Sequence, residues 1–252
     1  MIGAAAPVPD TPENVSSELY LGAIIFETVL FIVSLYFTVL AMRKYTIRRT
    51  KANIYMIGIC VSFSSALILT IIAKSLVLFF FYPYETGTIV EKFALLSTIS
   101  ANAFFVLFSL EVFKDFSKRR NNIIIGIYLS AYLPVVVSTM INIRQGTNFI
   151  FYALHLLLAF ITFIFLMKNA YQLMKKASGK LESTGMLLIF LAGLGIFLFY
   201  AFTMMSGILI DLGVLTPFNI LYFLSWGCLV MAFFMFYNGF FLPDWVRKRF
   251  GN

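Results

Sequence analysis

Residues 53–83 read NIYMIGICVSFSSALILTIIAKSLVLFFFYP. Lys74 is the one charge in the stretch. A helix rises about 1.5 Å per residue and the hydrocarbon core of a bilayer is about 30 Å thick, so about 20 consecutive apolar residues cross it. This stretch is longer than that. It also lacks the strict apolar–polar alternation of a barrel strand, which needs only about 10 residues. The reading is an all-α integral membrane protein.

Six further runs of the same kind lie on either side. The predicted spans are 18–42, 53–83, 88–113, 122–143, 148–171, 184–210 and 216–241. They form a seven-transmembrane-helix bundle over 18–241, between an N-terminal tail of residues 1–17, expected to be flexible, and a basic tail, 242–252. Composition agrees: of 252 residues, 61% are hydrophobic and 12% charged, with a mean hydropathy of +0.94. A soluble domain carries about 45–50% apolar and about 25% charged residues. A water-soluble fold is thereby excluded, and so is a disordered chain, which would be polar and poor in aromatics.

Lys and Arg are retained in cytoplasmic loops. The loop after the first span holds Arg43, Lys44, Arg48, Arg49 and Lys51. The third loop holds Lys114, Lys118, Arg119 and Arg120, and the fifth Lys168, Lys175, Lys176 and Lys180. With Arg247, Lys248 and Arg249 in the tail, 16 of the 19 basic residues fall on one side of a seven-span chain. The N-terminus is therefore expected outside and the C-terminus in the cytoplasm, as in a multi-pass protein of the cell membrane. The net charge of +8 is then a topology signal with some attraction to anionic lipid, and no nucleic-acid partner is expected. Met1–Tyr20 contains no Lys or Arg. A cleavable signal peptide needs a positive start, so the first span is expected to stay as a signal anchor. Asn14-Val15-Ser16 is a formal glycosylation acceptor on the expected outer side. Pro243 should stop the seventh span, with Trp245 at the interface.

No soluble-style active site is visible, and no enzymatic activity is expected. Cys60 and Cys228 both fall within spans, and two thiols alone make neither a zinc nor an iron–sulfur site. His155 is the single histidine, which excludes a haem held by two histidines. Seven spans with an outer N-terminus share the plan of rhodopsins and G-protein-coupled receptors, but the motifs do not follow. Between Lys180 and Lys248 there is no lysine to hold retinal in the seventh span. The third span ends Ser109-Leu110-Glu111-Val112-Phe113-Lys114, without an acidic–Arg–aromatic triplet, and the seventh ends Phe236-Tyr237-Asn238-Gly239-Phe240, without Asn-Pro-x-x-Tyr. No resident cofactor and no metal site are expected.

Ionisable residues inside a bilayer are costly and face the bundle with partners. Glu27, Lys74 and His155 lie about 13, 13 and 10 Å in from the outer ends of their spans at 1.5 Å per residue, and so share one layer. Helical spacing puts Asn219, Tyr222 and Trp226 on one face of the seventh span and Tyr200, Thr203 and Gly207 on one face of the sixth. Glu91, Thr98 and Asn102 form a stripe on the third. If these faces point inward, they line an outward-opening pocket with Glu27, Lys74, Asn102, His155, Tyr200, Tyr222 and Trp226 as its ligand-binding residues. A structural reading stands beside it: Glu27 pairs with Lys74 and fixes two helices, or Lys74 snorkels to the headgroups. Gly58, Ser62 and Ala66 should let the second span approach a neighbour. Pro134 and Gly193-Leu194-Gly195 are candidate bending points. Glu111, Lys114 and Asp115 form an interfacial charge group, read as salt bridging or as a gate.

The functional expectation is a receptor or sensor that binds a small molecule in the outer pocket and signals to a separate cytoplasmic or membrane partner. A small-solute or ion transporter, or a non-catalytic subunit of a larger complex, are the alternatives. Below Asn102 and Trp226 the spans read as apolar, which leaves a transporter half a path.

Overall fold

The computed structural model describes residues 17–80, 84–113, 118–141, 149–216 and 218–250. The expected glycosylation acceptor Asn14, and the charges Lys114, Asp115 and Arg144, lie outside these residues. Seven long helices, apolar enough to cross a membrane, follow one another: α1 Ser17–Ile47, α2 Lys51–Phe80, α3 Tyr84–Phe113, α4 Lys118–Ile141, α5 Phe149–Lys176, α6 Lys180–Asp211 and α7 Ile220–Phe241. A short helix not expected from the sequence, α8, covers Asp244–Phe250. Every regular element among the described residues is helical, as a bilayer requires, because each backbone N–H and C=O must be bonded within its own segment. The protein is a multi-pass, seven-helix membrane protein.

Each of these helices is apolar on all sides, so amphipathicity does not choose its inward face; side-chain size and polarity do. On α1, Ala23, Glu27, Leu30, Ser34, Phe37, Thr38 and Ala41 are buried, while Ile25, Val29, Ile32 and Tyr36 face outward. The sequence neighbours α1–α2, α2–α3, α5–α6 and α6–α7 pack together, and α1 meets α7 to close the ring. α3 also touches α5 directly, so α4 sits outside that junction, against both. α8 returns against α6.

Close approaches mark the tightest seams. A Cβ on Gly239 of α7 would lie 2.7 Å from the carbonyl oxygen of Gly185 and 2.9 Å from Leu188 Cβ. Ten residues away on α6, Gly195 faces Ala232 Cβ at 3.0 Å and the Cys228 carbonyl at 3.1 Å. Gly193 packs on Met167 of α5 and Gly58 on the ring of Phe104 in α3. These glycines thus serve contact between helices, as expected of Gly58, and the Gly193–Gly195 stretch lies in continuous helix. Pro134 likewise lies inside continuous α4.

The axis is filled by aromatic rings. Phe63, Phe105, Phe163 and Phe236 come from α2, α3, α5 and α7, each at most 1% exposed. Phe105 lies 5.1 Å from Phe163 and 5.3 Å from Phe236, centroid to centroid. Tilted and edge-on pairs of this kind add about 0.5–1.5 kcal/mol each beyond their buried area. A second, smaller core of Ile99, Tyr132, Val135 and Leu158 holds α4.

Candidate functional site

Glu27 sits on the buried face of α1 with no exposed surface. Opposite it, the Lys74 Nζ of α2 lies 2.8 Å from Glu27 Oε1. From α7, the Tyr222 hydroxyl donates to the same oxygen. Glu27 Oε2 is buried and has no hydrogen-bond partner among the described residues. Lys74 is only 7% exposed, so it pairs inside the bundle and does not snorkel. Its ammonium also lies 5.6 Å from the ring of Phe218 and 5.9 Å from that of Tyr222, within cation–π range.

Phe218 occupies a left-handed backbone conformation, φ 59°, which costs a residue with a Cβ about 1–2 kcal/mol. Its neighbours hold it there. Asn219 caps α7, accepting from the Leu221 and Tyr222 backbone N–H groups and donating to Ser206 Oγ at 2.8 Å. Tyr20 of α1 packs edge-on against Phe218 at 5.0 Å. Asn219 is therefore a helix cap, and its expected place on a pocket wall is corrected: the helix expected from residue 216 begins at Ile220, and a side chain at the position before it satisfies free N–H groups first. Glu91 of α3 is exposed and interacts electrostatically with both Lys74 and Glu27.

His155, Asn102 and Tyr200 assemble elsewhere. Tyr200 of α6 donates to Asn102 Oδ1 at 3.1 Å, and Asn102 Nδ2 donates to the Tyr132 hydroxyl at 3.2 Å. Asn102 has no exposed surface, and its amide joins α3, α4 and α6. His155 of α5 lies edge-on between these two tyrosines, 5.8 Å from Tyr132 and 5.7 Å from Tyr200. Its Nδ1 is buried with no described partner. Tyr128 lies tilted against Tyr132, ring centroids 4.9 Å apart, and its hydroxyl accepts from Thr162 at 2.9 Å.

The seven expected pocket residues therefore divide into two groups. Glu27, Lys74, Tyr222 and Trp226 stand between α1, α2 and α7, while Asn102, His155 and Tyr200 stand among α3 to α6. A file of rings joins the groups: Tyr222 to Trp226 at 6.4 Å, Trp226 to Phe199 at 5.3 Å, Phe199 to Tyr200 at 5.0 Å. Six of the seven are buried, none more than 9% exposed, and Tyr222 is half-buried. They pack on one another through these bonds and rings. Of the other expected stripe members, Thr98 and Thr203 donate to their own helices at the Leu95 and Phe199 carbonyls, and a Cβ on Gly207 would meet nothing within 4 Å.

No protein-family model, no curated protein and no solved structure matches the chain.

Several participants were invisible in the sequence. Tyr132 and Tyr128 look like ordinary aromatic residues of a span, and only the position of α4 brings them to Asn102 and Thr162. Phe218 lies in a turn. Two helical turns below Glu27, Ser34 Oγ meets Ser64 Oγ at 2.8 Å, with Thr38 Oγ1 at 3.4 Å from the latter. The spacing of Glu27 and Ser34, i and i+7, could have shown that they share a face.

Proposed function

We propose that this chain is a membrane receptor or sensor that binds a small hydrogen-bond donor or cation at the Glu27 group and signals to a separate partner at the basic end. The observation that carries this reading is Glu27 Oε2: a buried carboxyl oxygen without a described partner, beside one that already accepts from Lys74 and Tyr222. Buried polar atoms are almost always bonded, and an exception asks for an occupant. A donor arriving at Oε2 would draw negative charge away from Lys74 and Tyr222. Because the three residues belong to α1, α2 and α7, a change in this one contact alters how three helices meet. The file from Tyr222 to Tyr200 carries the displacement towards the Asn102–His155 group, and α7 continues to α8. The positive-inside distribution of Lys and Arg supports an outer position for the ligand end. The reading involves no catalysis and no resident cofactor.

Native mass spectrometry of protein released from membranes with minimal detergent tests it. A defined small-molecule mass on the wild type, absent from Glu27→Gln, is the expected result. Lipid-only spectra, or the same mass on both proteins, would overturn it. A second protein in fixed stoichiometry would replace it with a subunit role.

The hydroxyl group of Ser34, Thr38 and Ser64 favours one second reading, a proton or cation carrier working along the α1–α2 seam. Against it stands the phenylalanine packing of the axis. A pH-sensitive dye inside proteoliposomes decides: flux that Ser34→Ala with Ser64→Ala abolishes would establish the carrier.

A further inference from the structure

At the basic end, a cavity of about 540 Å³ lies between the α1–α2 turn, the last turn of α3, the end of α7 and α8. Lys44 and Arg48, one helical turn apart at the end of α1, and Arg247 of α8 bring three cations into its lining from two segments, against the carboxylate of Glu111 among the described residues. We propose that this cavity binds a phosphate group, carried by an anionic lipid headgroup or free in solution.

The walls are built before a ligand arrives. Arg247 Nε donates to the Leu242 carbonyl at 2.8 Å. Leu242 caps α7 in a left-handed conformation, so one N–H of the guanidinium is committed and its terminal nitrogens are directed by that anchor. Across the cavity, Asn53, 4% exposed, donates through Nδ2 to the Arg48 carbonyl at 2.6 Å. Thr50 Oγ1 accepts from the Asn53 backbone N–H at 3.3 Å. These bonds hold the turn that carries Arg48, and the start of α2 adds the positive end of its dipole. Phe240, Phe241, Val112 and Ile47 complete the lining with apolar surface, which lowers the local dielectric and strengthens charge-assisted bonds.

Three cations from two sides of the cavity can serve the three free oxygens of a phosphate where a carboxylate offers only two, and guanidinium forks match phosphate edges. Glu111 limits affinity by competing for the same cations. The site stands whether or not the Glu27 end binds a ligand.

The test uses the full chain in detergent micelles, titrated calorimetrically with dioctanoyl phosphatidic acid, dioctanoyl phosphatidylcholine and inorganic phosphate. Saturable binding of phosphatidic acid at one per chain, with none for phosphatidylcholine, is expected. Arg48→Gln with Arg247→Gln should weaken it about tenfold or more. Lys168→Gln with Lys175→Gln removes equal charge from the same end outside the cavity and should leave it unchanged. Glu111→Gln should tighten binding about two- to fivefold, a gain that a misfolded protein cannot show. Inorganic phosphate binding as tightly as the lipid keeps the site and makes the soluble ion its source; weaker binding makes the lipid its source. Equal losses in the two double variants would mean diffuse surface charge and overturn the proposal, as would equal binding of the two lipids.

Discussion

Replacing Lys74 by Met leaves a carboxyl with no exposed surface dependent on Tyr222 alone among its described donors. Breaking one side of a buried pair costs about 3–5 kcal/mol. Unfolding in mixed micelles should show that loss for Lys74→Met and for Glu27→Leu. The double variant should recover most of it; a double variant as unstable as the two losses added would deny that the pair acts as a unit. Tyr222→Phe removes a hydrogen bond to a charged group and should cost about 1.5–3 kcal/mol by the same assay. At the other group, Asn102→Leu removes one hydrogen bond from each of two tyrosine hydroxyls; in a membrane interior that comes to about 1–2 kcal/mol. The charges themselves were legible: Glu27 and Lys74 stood out within apolar runs at equal depth, and they meet. His155 stood at similar depth and does not join them. Residue counting along a span gives position along the membrane normal and nothing about the direction around the bundle axis, so one layer became two groups.

Glycine shows how far an element's sequence discloses its packing. α7 contains Gly227 and Gly239, indistinguishable by composition. Around Gly227 a Cβ would meet nothing within 4 Å, whereas at Gly239 it meets α6 backbone at 2.7 Å and 3.0 Å. Gly239→Ala should therefore force α6 and α7 apart and cost about 1–3 kcal/mol, while Gly227→Ala should be neutral or stabilise by up to about 1 kcal/mol through helix propensity. Thermal unfolding of the two variants checks this, and equal melting temperatures would refute the close crossing. The seven long elements were legible because a bilayer demands long apolar runs. α8 was not: its seven residues, Asp244–Phe250, are too few to establish a helical period. The buried Val246, 0% exposed, and the Trp245 ring stacked 6.3 Å from Phe234 secure it through contacts that only the folded bundle supplies.

For the molecule as a whole, the basic residues predict sidedness. In a variant lacking Cys60 and Cys228, a cysteine at Ser17 should react with an impermeant maleimide on intact cells. One at Lys248 should react only after permeabilisation; the reverse order would invert the topology. The ring of helices closed by α1 on α7, with α4 outside it, could not be read from seven similar apolar runs, since any neighbour order would satisfy the same lengths. One consequence of the Glu27–Lys74 pair concerns synthesis. Lys74 follows its partner by 47 residues, which a ribosome adding about 5–20 residues per second takes about 2–9 s to make. During that interval α1 holds an acid with no base, and each unpaired charge opposes entry into lipid by about 2.5–3.5 kcal/mol. The first two spans are thereby driven to leave the insertion channel together, as a hairpin, and the nascent chain reads its second helix before it commits its first.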